Sequence, residues 1–416
     1  MQGRQKLAKR DQQLKDSAGR SKGEKHMSRL RKVLDPTRTG RDAEALEKML
    51  LQSVVGQDEA IEQIVNIYQM YLTGLTAPSR PVGNFLFLGP TGSGKTRTVE
   101  ATAEALVNNP RAVIKIDCAE FQHSHEIAKL IGSPPGYLGH RETHPLLSQE
   151  VINQHQTDTV KLSFILFDEI EKASDALWNL LLGILDKATL TLGDNRKVDF
   201  SRAMIFMTSN LGAAEMSNLI APKLGFCMNH SNGASAAVAD GELNGKLTKS
   251  GIEAARRKFT PEFMNRIDKV VVFKPLGQTE LRRILDLELA QVQQRIFQSP
   301  SERSFVFTLS EESKEFLLCE GTDLKYGARH LKRAIERLLV HPVSNLIATN
   351  QVNTGDWIQI DFDPQRNSLV FTTEEEDLQM HRMASIVGGN IRGAANSGNV
   401  PAAEYFQPAP AKTGKR

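Results

Sequence analysis

Short apolar segments alternate with amphipathic segments through the middle of the chain. The runs NFLFL, AVIKID, SFILF and AMIFMTSN have the length of strands, and helical segments such as KTRTVEATAEALVNN and DALWNLLLGILDKA lie between them. A strand that is apolar at nearly every position is buried on both faces, which is typical of a parallel sheet. The pattern therefore predicts an α/β fold in which helices cover both faces of a parallel sheet.

The pattern changes after the segment KVVVFKPL. Two long amphipathic helices, QTELRRILDLELAQVQQRIF and GARHLKRAIERLLVHPVSNLIATN, precede two short strand candidates, DWIQIDF and SLVFTT. We expect a large domain over residues 43–277 and a smaller, mostly helical domain with a short β element over residues 278–376. The flanking residues 1–42 and 377–416 are poor in large apolar groups, and we expect both to be flexible. The small polar residues of 228–242 predict a surface loop insertion.

Charge is spread unevenly along the chain, although the net charge is only +3. The first 40 residues carry twelve lysines and arginines against four acidic residues, which gives this head +8 and the remainder −5. A basic head can bind nucleic acid or acidic protein surfaces, or it can be a solvated, partly helical tail.

Three cysteines, Cys118, Cys227 and Cys319, lack CxxC spacing and indicate reduced, buried thiols. The sequence shows neither the apolar core of a secretory signal nor an apolar run long enough to span a membrane. We therefore expect a cytoplasmic protein.

A glycine-rich motif carries the strongest chemical signal. GPTGSGKT fits G-x-x-x-x-G-K-[ST], follows a predicted strand and opens a predicted helix. In such a loop the backbone N–H groups surround phosphate oxygens, the lysine lies between the β- and γ-phosphates, and the last hydroxyl binds Mg²⁺. The expected cofactors are therefore ATP and Mg²⁺. The motif comprises Gly89, Pro90, Thr91, Gly92, Ser93, Gly94, Lys95 and the metal ligand Thr96.

Two further predicted strands end in polar residues. FILFDE places Asp168 and Glu169 at the carboxyl end of a buried strand, where ligands bind in open α/β sheets. Asp168 can hold Mg²⁺ through water, and Glu169 can orient and deprotonate an attacking water. MTSN ends the next strand with Asn210, whose amide can reach the γ-phosphate or that water, or can simply form a turn.

Seven motifs occur in the order in which a known family has them. They are VVGQDEAI, GPTGSGKT, IGSPPGYLGH, FILFDEIEKA, VDFSRAMIFMTSNLG, FTPEFMNRID and YGARHLKRAI. From about residue 50 to 372 the chain resembles the second ATPase module of the Clp family of AAA+ unfoldases, such as ClpA, ClpB and ClpC. The resemblance implies a P-loop AAA+ domain followed by a helical lid domain. Only one P-loop and no N-terminal substrate domain are found, which implies a single-ring form.

The resemblance also implies roles for single residues. Asn210 looks like the first sensor of the γ-phosphate, and Arg329, in GAR, looks like a second sensor on the lid. Arg266, in NRID, looks like an arginine finger that acts on the nucleotide of the neighbouring subunit. Val54, Val55 and Gly56 resemble the segment that packs against the adenine in the family. They could equally serve core packing.

Tyr137 falls at the position of the family's aromatic pore loop. In a homohexameric ring such tyrosines would line an axial channel and grip an extended polypeptide by apolar contact. The alternative is a tyrosine that packs back on its own loop. Leu138 stands where valine is usual in the family, and LTLGDNRKVDF resembles the second pore loop. The first loop comprises Gly136, Tyr137, Leu138 and Gly139.

The tripeptide LGF resembles the segment by which ClpA and ClpC dock on the ClpP peptidase. An exposed apolar tripeptide can be such a docking element, or it can anchor the loop on its own domain. The ClpB type lacks this element, so the resemblance leaves a ClpP-like partner open. The residues are Leu224, Gly225 and Phe226.

Together these features favour an ATP-driven protein unfoldase or remodelling chaperone that acts on polypeptides. A nucleic-acid motor or loader could use the basic head, but a pore loop with an aromatic between glycines is not a basic groove. A scaffold that uses ATP only for assembly has no need of Glu169, Asn210 and Arg266. We therefore expect neither nucleic acid nor a membrane as partner.

Overall fold

The computed structural model describes residues 35–133, 145–220, 234–299, 303–322 and 327–375, together with Leu378 and Met383. Within those residues the strands are β1 (Gly83–Leu88), β2 (Val113–Asp117), β3 (Ser163–Asp168), β4 (Thr189–Thr191), β5 (Lys197–Asp199), β6 (Ala203–Ser209), β7 (Lys269–Val272), β8 (Val306–Leu309), β9 (Trp357–Asp363) and β10 (Ser368–Glu375).

The largest sheet has five parallel strands in the order β2-β3-β6-β1-β7. Strand β6 lies between β3 and β1, so the chain segments that follow these three strands meet at one edge of the sheet. In register, Leu88 at the end of β1 pairs with Ser209, and Asp168 at the end of β3 pairs with Asp117. The parallel α/β sheet predicted from the apolar runs is confirmed.

Both faces of this sheet are buried, as the continuous apolar strands require. Along β1, Phe85 and Phe87 enter one hydrophobic core, and Leu86 and Leu88 enter the other. The rings of Phe85 and Phe206 stack with their centroids 4.9 Å apart. The helices before and within this region are α1 (Arg41–Ser53), α2 (Asp58–Leu72), α3 (Lys95–Val107), α4 (Ala128–Ile131), α5 (Gln149–Asn153), α6 (Asp175–Lys187), α7 (Ala213–Ile220), α8 (Ala234–Lys258) and α9 (Pro261–Met264).

A second, mostly helical region follows β7. Its core contains Leu285, Leu317, Leu339 and Ile360, which come from helices and from a three-stranded sheet of order β10-β9-β8. This arrangement confirms a helical region with a short β element. Whether the domain limits fall at the expected residues stays a prediction. The helices of this region are α10 (Gln278–Phe297), α11 (Glu311–Gly321), α12 (Ala328–Ile335) and α13 (His341–Ala348).

Helices α12 and α13 are joined without a break by a wider helical turn. The sequence predicts a single helix, whereas a π-helical turn, Glu336–Val340, joins α12 to α13. Pro342 lies in the first turn of α13. Proline lacks the N–H of a regular helix and its ring clashes with the preceding turn, so the wider turn accommodates it.

Four local predictions differ from the structure. The loop expected over 228–242 is wrong from Ala234 onward, where α8 begins, because its alanines are strong helix formers. Strand β8 and helix α11 lie where we predicted no element. Helix α5 is shorter than predicted, since the Ser148 side chain caps it by accepting the Val151 N–H.

The expectation of buried thiols holds for Cys118 and is wrong for Cys319, which is exposed. Cys319 lies on α11 two residues after the buried Leu317, on the opposite side of the helix. Cys227 lies outside the described residues.

Among the residues that the structure describes, no helix combines the length and the apolar character that crossing a membrane requires.

Candidate active site

The loop between β1 and α3 has the backbone of an anion site. Its first residue, Gly89, has φ +144°, and a Cβ there would lie 2.5 Å from the carbonyl oxygen of Phe273, so glycine is required. Gly94 precedes α3 with φ +100° and offers no side chain to cap the helix. The first N–H groups of α3 are therefore available to an anion, which the helix dipole also attracts.

Lys95 is buried beneath this loop. Its ammonium donates to the carbonyl oxygens of Gly89 at 2.8 Å and Pro90 at 3.0 Å, and to Asn210 Oδ1 at 3.0 Å. Burial lowers the pKa of Lys95 to about 8, although the nearby carboxylates, first that of Asp168, favour the charged form. The three hydrogen-bond acceptors of the Lys95 ammonium are neutral oxygens, so its positive charge remains available to an anion.

Asp168 is the last residue of β3 and Glu169 follows it, and Thr208 of the neighbouring strand β6 bonds both. The Thr208 hydroxyl donates to Asp168 Oδ1 and accepts the backbone N–H of Glu169 at 3.2 Å. Thr208 is only 1% exposed, so water does not compete for these bonds. Glu169 has φ +55°, a left-handed conformation that is strained for a residue with a long side chain.

Asn210 connects the lysine to the glutamate. Because the Lys95 ammonium can only donate, Asn210 Oδ1 must face it, and Asn210 Nδ2 then donates to Glu169 Oε1 at 3.2 Å. The backbone N–H of Asn210 donates to Glu171 Oε1 at 3.1 Å. Two side-chain bonds and one backbone bond therefore hold Asn210, and the orientation of its amide follows from hydrogen-bond chemistry.

The remaining carboxylate oxygens near Asn210 have different surroundings. Glu169 Oε2 lies 2.5 Å from the ammonium of Lys172, and this bond raises the pKa of Lys172. Glu171 Oε2 is buried and has no hydrogen-bond partner among the described residues. The site therefore holds an unsatisfied acceptor beside its candidate base.

The helical region contacts the glycine-rich loop directly. The first N–H of α12, from Ala328, donates to the carbonyl oxygen of Gly92 at 3.2 Å. Gly327 has φ +51°, and a Cβ there would lie 2.9 Å from the same oxygen, so a glycine permits this close approach. Arg329 is the second residue of α12 and therefore lies close to this contact.

A cavity of about 280 Å³ lies between these elements. Its polar lining includes Lys95, Asp168, Glu169 and Arg329. Its apolar lining comprises Val54, Val55, Leu276, Ile284 and Leu287.

Gly56 does not line the cavity. With φ +73°, a Cβ at Gly56 would lie 2.9 Å from Glu280 Cγ, so its role is close packing. The next residue, Gln57, fastens the segment to the loop, because its Nε2 donates to the carbonyl oxygens of Ser93 at 3.0 Å and Lys274 at 2.9 Å.

The residues present fit a nucleoside triphosphate with Mg²⁺. Lys95 and Arg329 supply positive charge to the cavity, and the uncapped first turn of α3 supplies N–H donors. Thr96 and Asp168 both line the cavity and carry the oxygen ligands that Mg²⁺ prefers. The apolar side chains of the lining offer aliphatic surface for a base.

Arg266 is not brought to this cavity. Its guanidinium lies 3.1 Å from Glu262 Oε1 and 3.9 Å from Asp186 Oδ2. The other predicted polar residues converge within one chain, whereas Arg266 faces different groups. A role for it at a nucleotide therefore requires a second copy of the chain.

The expected pore loop, Gly136–Gly139, and the expected peptidase-docking tripeptide, Leu224–Phe226, lie outside the described residues. The segment that resembles the second pore loop forms the hairpin of β4 and β5. Its Gly193 N–H donates to the carbonyl oxygen of Ile131 at 2.8 Å, and a Cβ on Gly193 would lie 2.5 Å from the carbonyl oxygen of Gly132. The hairpin thus packs on the residues that precede the expected pore loop.

Sequence reasoning missed several residues of this site. Thr208 lies in β6 two positions before Asn210, and its polar side chain near the end of an apolar strand was the available signal. Gln57 adjoins the predicted Val54–Gly56 segment, but its bonds to Ser93 and Lys274 cross the fold. An ion pair of 2.7 Å between Glu288 and Lys332 also lines the cavity.

Comparison with known proteins agrees with the fold and the motifs. Residues 80–270 match the family described as "AAA domain (Cdc48 subfamily)", and residues 276–360 match the "C-terminal, D2-small domain, of ClpB protein". Nucleotide binding follows from the first of these families.

Relatives and a solved structure point the same way. The chain is 38% identical to a chaperone protein ClpB of Pseudomonas putida over 74% of its own length and 33% of that protein. It is 37% identical to chaperone protein ClpB2, chloroplastic, of Oryza sativa subsp. japonica over 76% of its length and 30% of that protein. A closed-state cryo-electron-microscopy reconstruction of Hsp104 with ATPyS and FITC casein gives a TM-score of 0.64 at 30% identity, covering 79% of this chain and 52% of that one.

The chain spans about a third of the length of the curated relatives it matches. The order of the two matched domains, a P-loop sheet domain followed by a small domain, is also the order of the sheet and helical regions of the structure. The chain therefore belongs to the Clp family of AAA+ ATPases.

Proposed function

We propose that this chain hydrolyses ATP and uses the energy to unfold or remodel polypeptides. The observation that supports hydrolysis most directly is the hydrogen-bonded chain from Lys95 through Asn210 to Glu169 at one cavity. A phosphate-binding lysine, a polar amide and a carboxylate at one sheet edge are the groups that phosphoryl transfer to water requires.

Each residue has a distinct task in this proposal. Lys95 and Arg329 bind phosphate oxygens, and Glu169 takes a proton from the attacking water. Asn210 orients that water and holds Glu169, while Thr208 fixes the backbone of Glu169 and the carboxylate of Asp168. Thr96 and Asp168 would hold Mg²⁺, which neutralises phosphate charge when it is bound.

The proposed assembly is a homohexameric ring in which Arg266 of one subunit serves the nucleotide of the next. This explains why Arg266 lies apart from the cavity of its own chain. The proposed substrate is an extended polypeptide, gripped by Tyr137 in the axial channel. The hairpin contact with Ile131 and Gly132 supports a mechanical link between the two loops.

A peptidase partner is not part of this proposal. The relatives found are ClpB chaperones, and the ClpB type lacks the docking tripeptide that Leu224–Phe226 resembles. A ClpP-like contact there stays a prediction.

The proposed function is tested with Tyr137→Ala and a folded, tagged fluorescent substrate. Tyr137→Ala should keep its ATPase rate, because Tyr137 is not among the residues that hold nucleotide, and should lose unfolding. Tyr405→Ala, the same substitution at a tyrosine outside the seven family motifs, is the matched control and should keep both activities. Unfolding at the wild-type rate by Tyr137→Ala would contradict the pore-loop assignment, whereas wild-type protein without ATPase activity would contradict the hydrolytic assignment.

A further inference from the structure

A group of polar side chains that do not line the cavity converges on the backbone of Arg266. Arg80 Nη2 donates to the carbonyl oxygen of Arg266 at 3.0 Å, and Asn84 Nδ2 donates to the same oxygen at 3.2 Å. These two residues are more than 180 positions from Arg266 in sequence. Two donors on one carbonyl fix the position of this peptide unit more tightly than one would.

Asp268 completes the group. Its carboxylate accepts the Asn84 N–H at 2.9 Å and lies 3.2 Å from Arg80 Nη1, and its own N–H donates to the Asn84 carbonyl oxygen at 3.0 Å. We call Arg80, Asn84 and Asp268 the Arg266 clamp. Every member of the clamp bonds both other members or bonds Arg266 itself.

The clamp also satisfies the last turn of α6. Asn84 Nδ2 donates to the carbonyl oxygen of Leu185 at 3.3 Å, and Arg80 Nε lies 3.5 Å from the same oxygen. Asn84 is fully buried at 0% exposure, so its amide bonds are sheltered from water. The backbone at Arg266 is therefore joined to β1 and to the end of α6 at once.

The side chain of Arg266 is held far less firmly. Its partners, Glu262 and Asp186, have side chains that are 64% and 47% exposed. Ion pairs with exposed carboxylates are weak and are readily exchanged for a stronger anion. The result is an arginine with a fixed backbone and a replaceable partner, which suits a group that must reach a phosphate on another molecule.

The position of the clamp relates Arg266 to the nucleotide loop of its own chain. Asn84 lies near the start of β1, and the glycine-rich loop begins directly after the end of that strand. Asp268 directly precedes β7, which pairs with β1. The clamp thus sets Arg266 in a rigid frame that includes the loop at Gly89.

We propose that Arg80, Asn84 and Asp268 are positioning residues for Arg266, holding it where its guanidinium reaches the nucleotide of the neighbouring subunit. This inference rests on the role of Arg266 in the proposed function. The clamp residues touch no nucleotide themselves, so their loss should spare the site of their own chain and impair that of the neighbour.

Mixed assemblies separate these two effects. Arg80→Met keeps the aliphatic stem and removes the donors, and we expect it to lower kcat about 10–100-fold, as a small misplacement of a reacting group does. Glu169→Gln keeps a positioned Arg266 but lacks its own base. In a head-to-tail ring each interface joins the Glu169 of one subunit to the Arg266 of the next. When the two variants are mixed in equal amounts, roughly a quarter of the interfaces combine an intact Glu169 with a correctly positioned Arg266. The ATPase activity of the mixture should therefore exceed that of either variant alone.

A positive and a negative control accompany this experiment. Arg266→Ala mixed with Glu169→Gln must regain activity if Arg266 acts on the neighbour. Arg257→Met removes an exposed ion pair between Arg257 on α8 and Glu215 on α7, and it should keep the wild-type rate alone and in mixtures.

The outcomes are distinguishable. If Arg266→Ala regains activity in the mixture and Arg80→Met does not, the clamp inference is wrong and the proposed function stands. If neither regains activity, the assignment of Arg266 is wrong, and the inference fails with it. If Arg80→Met unfolds, Arg80→Lys replaces it in the experiment. Lysine keeps a positive charge opposite Asp268 but cannot make the two-pronged contacts of arginine. Arg80→Lys must then also regain activity when it is mixed with Glu169→Gln.

Discussion

The side-chain oxygen of Asn210 lies 3.0 Å from the ammonium of Lys95. Since lysine can only donate, this contact turns the amide nitrogen toward Glu169, 3.2 Å away. One amide thereby connects the phosphate-binding loop to the candidate base. A phosphate that draws the Lys95 ammonium away from Asn210 would also change the bond that Asn210 makes with Glu169.

Replacing Asn210 by leucine keeps the size of the side chain and removes both bonds. We expect kcat for ATP to fall about 10²-fold, the usual effect of losing one hydrogen-bond donor at a reacting centre, with little change in KM. Asn153→Leu, on the exposed side of α5, is the matched control and should keep the wild-type rate. Steady-state ATPase assays decide this, and a wild-type kcat for Asn210→Leu would remove Asn210 from the site.

Glu169→Gln tests the base. The amide keeps the shape of the side chain but cannot accept a proton, so we expect turnover to fall by about 10²–10⁴-fold while ATP still binds. Because hydrolysis is blocked, the ATP-bound ring should be trapped and visible by electron microscopy. Turnover at the wild-type rate would show that another group removes the proton.

Thr208 offers a test with two closely related substitutions. Thr208→Val removes the hydroxyl and leaves the half-buried Glu169 N–H without its acceptor, at a cost of about 1 kcal/mol in the free energy of unfolding. It should also lower kcat, because Asp168 and Glu169 both lose a contact that positions them. Thr208→Ser retains the hydroxyl and should restore most of the rate. Chemical unfolding and ATPase assays on the pair check this, and equal activity of the two variants would show that the hydroxyl is dispensable.

The lowered pKa of Lys95 predicts a pH dependence of nucleotide binding. Without nucleotide, burial sets this pKa at about 8, and phosphate would raise it by favouring the ammonium. Above about pH 8 the free protein loses the proton that the complex requires, so binding takes up a proton and weakens by up to about tenfold per pH unit.

Titration calorimetry in buffers with different ionisation enthalpies measures this proton uptake. Lys95→Arg stays charged throughout and should lose the pH slope even if it binds more weakly. A constant affinity of the wild-type protein up to about pH 9, or proton release on binding, would contradict the expectation.

The central sheet and the polar residues at its carboxyl edge could be predicted because the sequence patterns that indicate them are local. Continuous apolar runs identify β1, β3 and β6, and the polar residues directly after them identify the glycine-rich loop, Asp168, Glu169 and Asn210. Parallel strands present their carboxyl ends at one edge, so the sequence predicts these groups on the same edge, and the strand order β3-β6-β1 brings them together there.

The contacts that hold those groups could not be predicted, since they depend on pairing between distant segments. Thr208 is an ordinary strand residue until the register sets it beside Asp168. Arg80 and Asn84 reach Arg266 only because β7 pairs with β1. No spacing rule in one sequence describes such neighbours.

Helix α8 shows a different limit. Its first residues are small and polar enough to be mistaken for a loop, although alanine also has the highest helix propensity. Composition alone does not separate these two possibilities, and the structure resolves them in favour of the helix from Ala234.

The left-handed backbone of Glu169 has a consequence for how this chain can change. Asparagine tolerates that conformation better than glutamate, so Glu169→Asn should relieve roughly 1 kcal/mol of strain and raise the melting temperature. The same substitution shortens the side chain away from the reacting water and should abolish turnover. Resting stability and catalysis therefore favour different residues at this position, and a search for thermostable variants that ignores activity would be expected to select inert ones here.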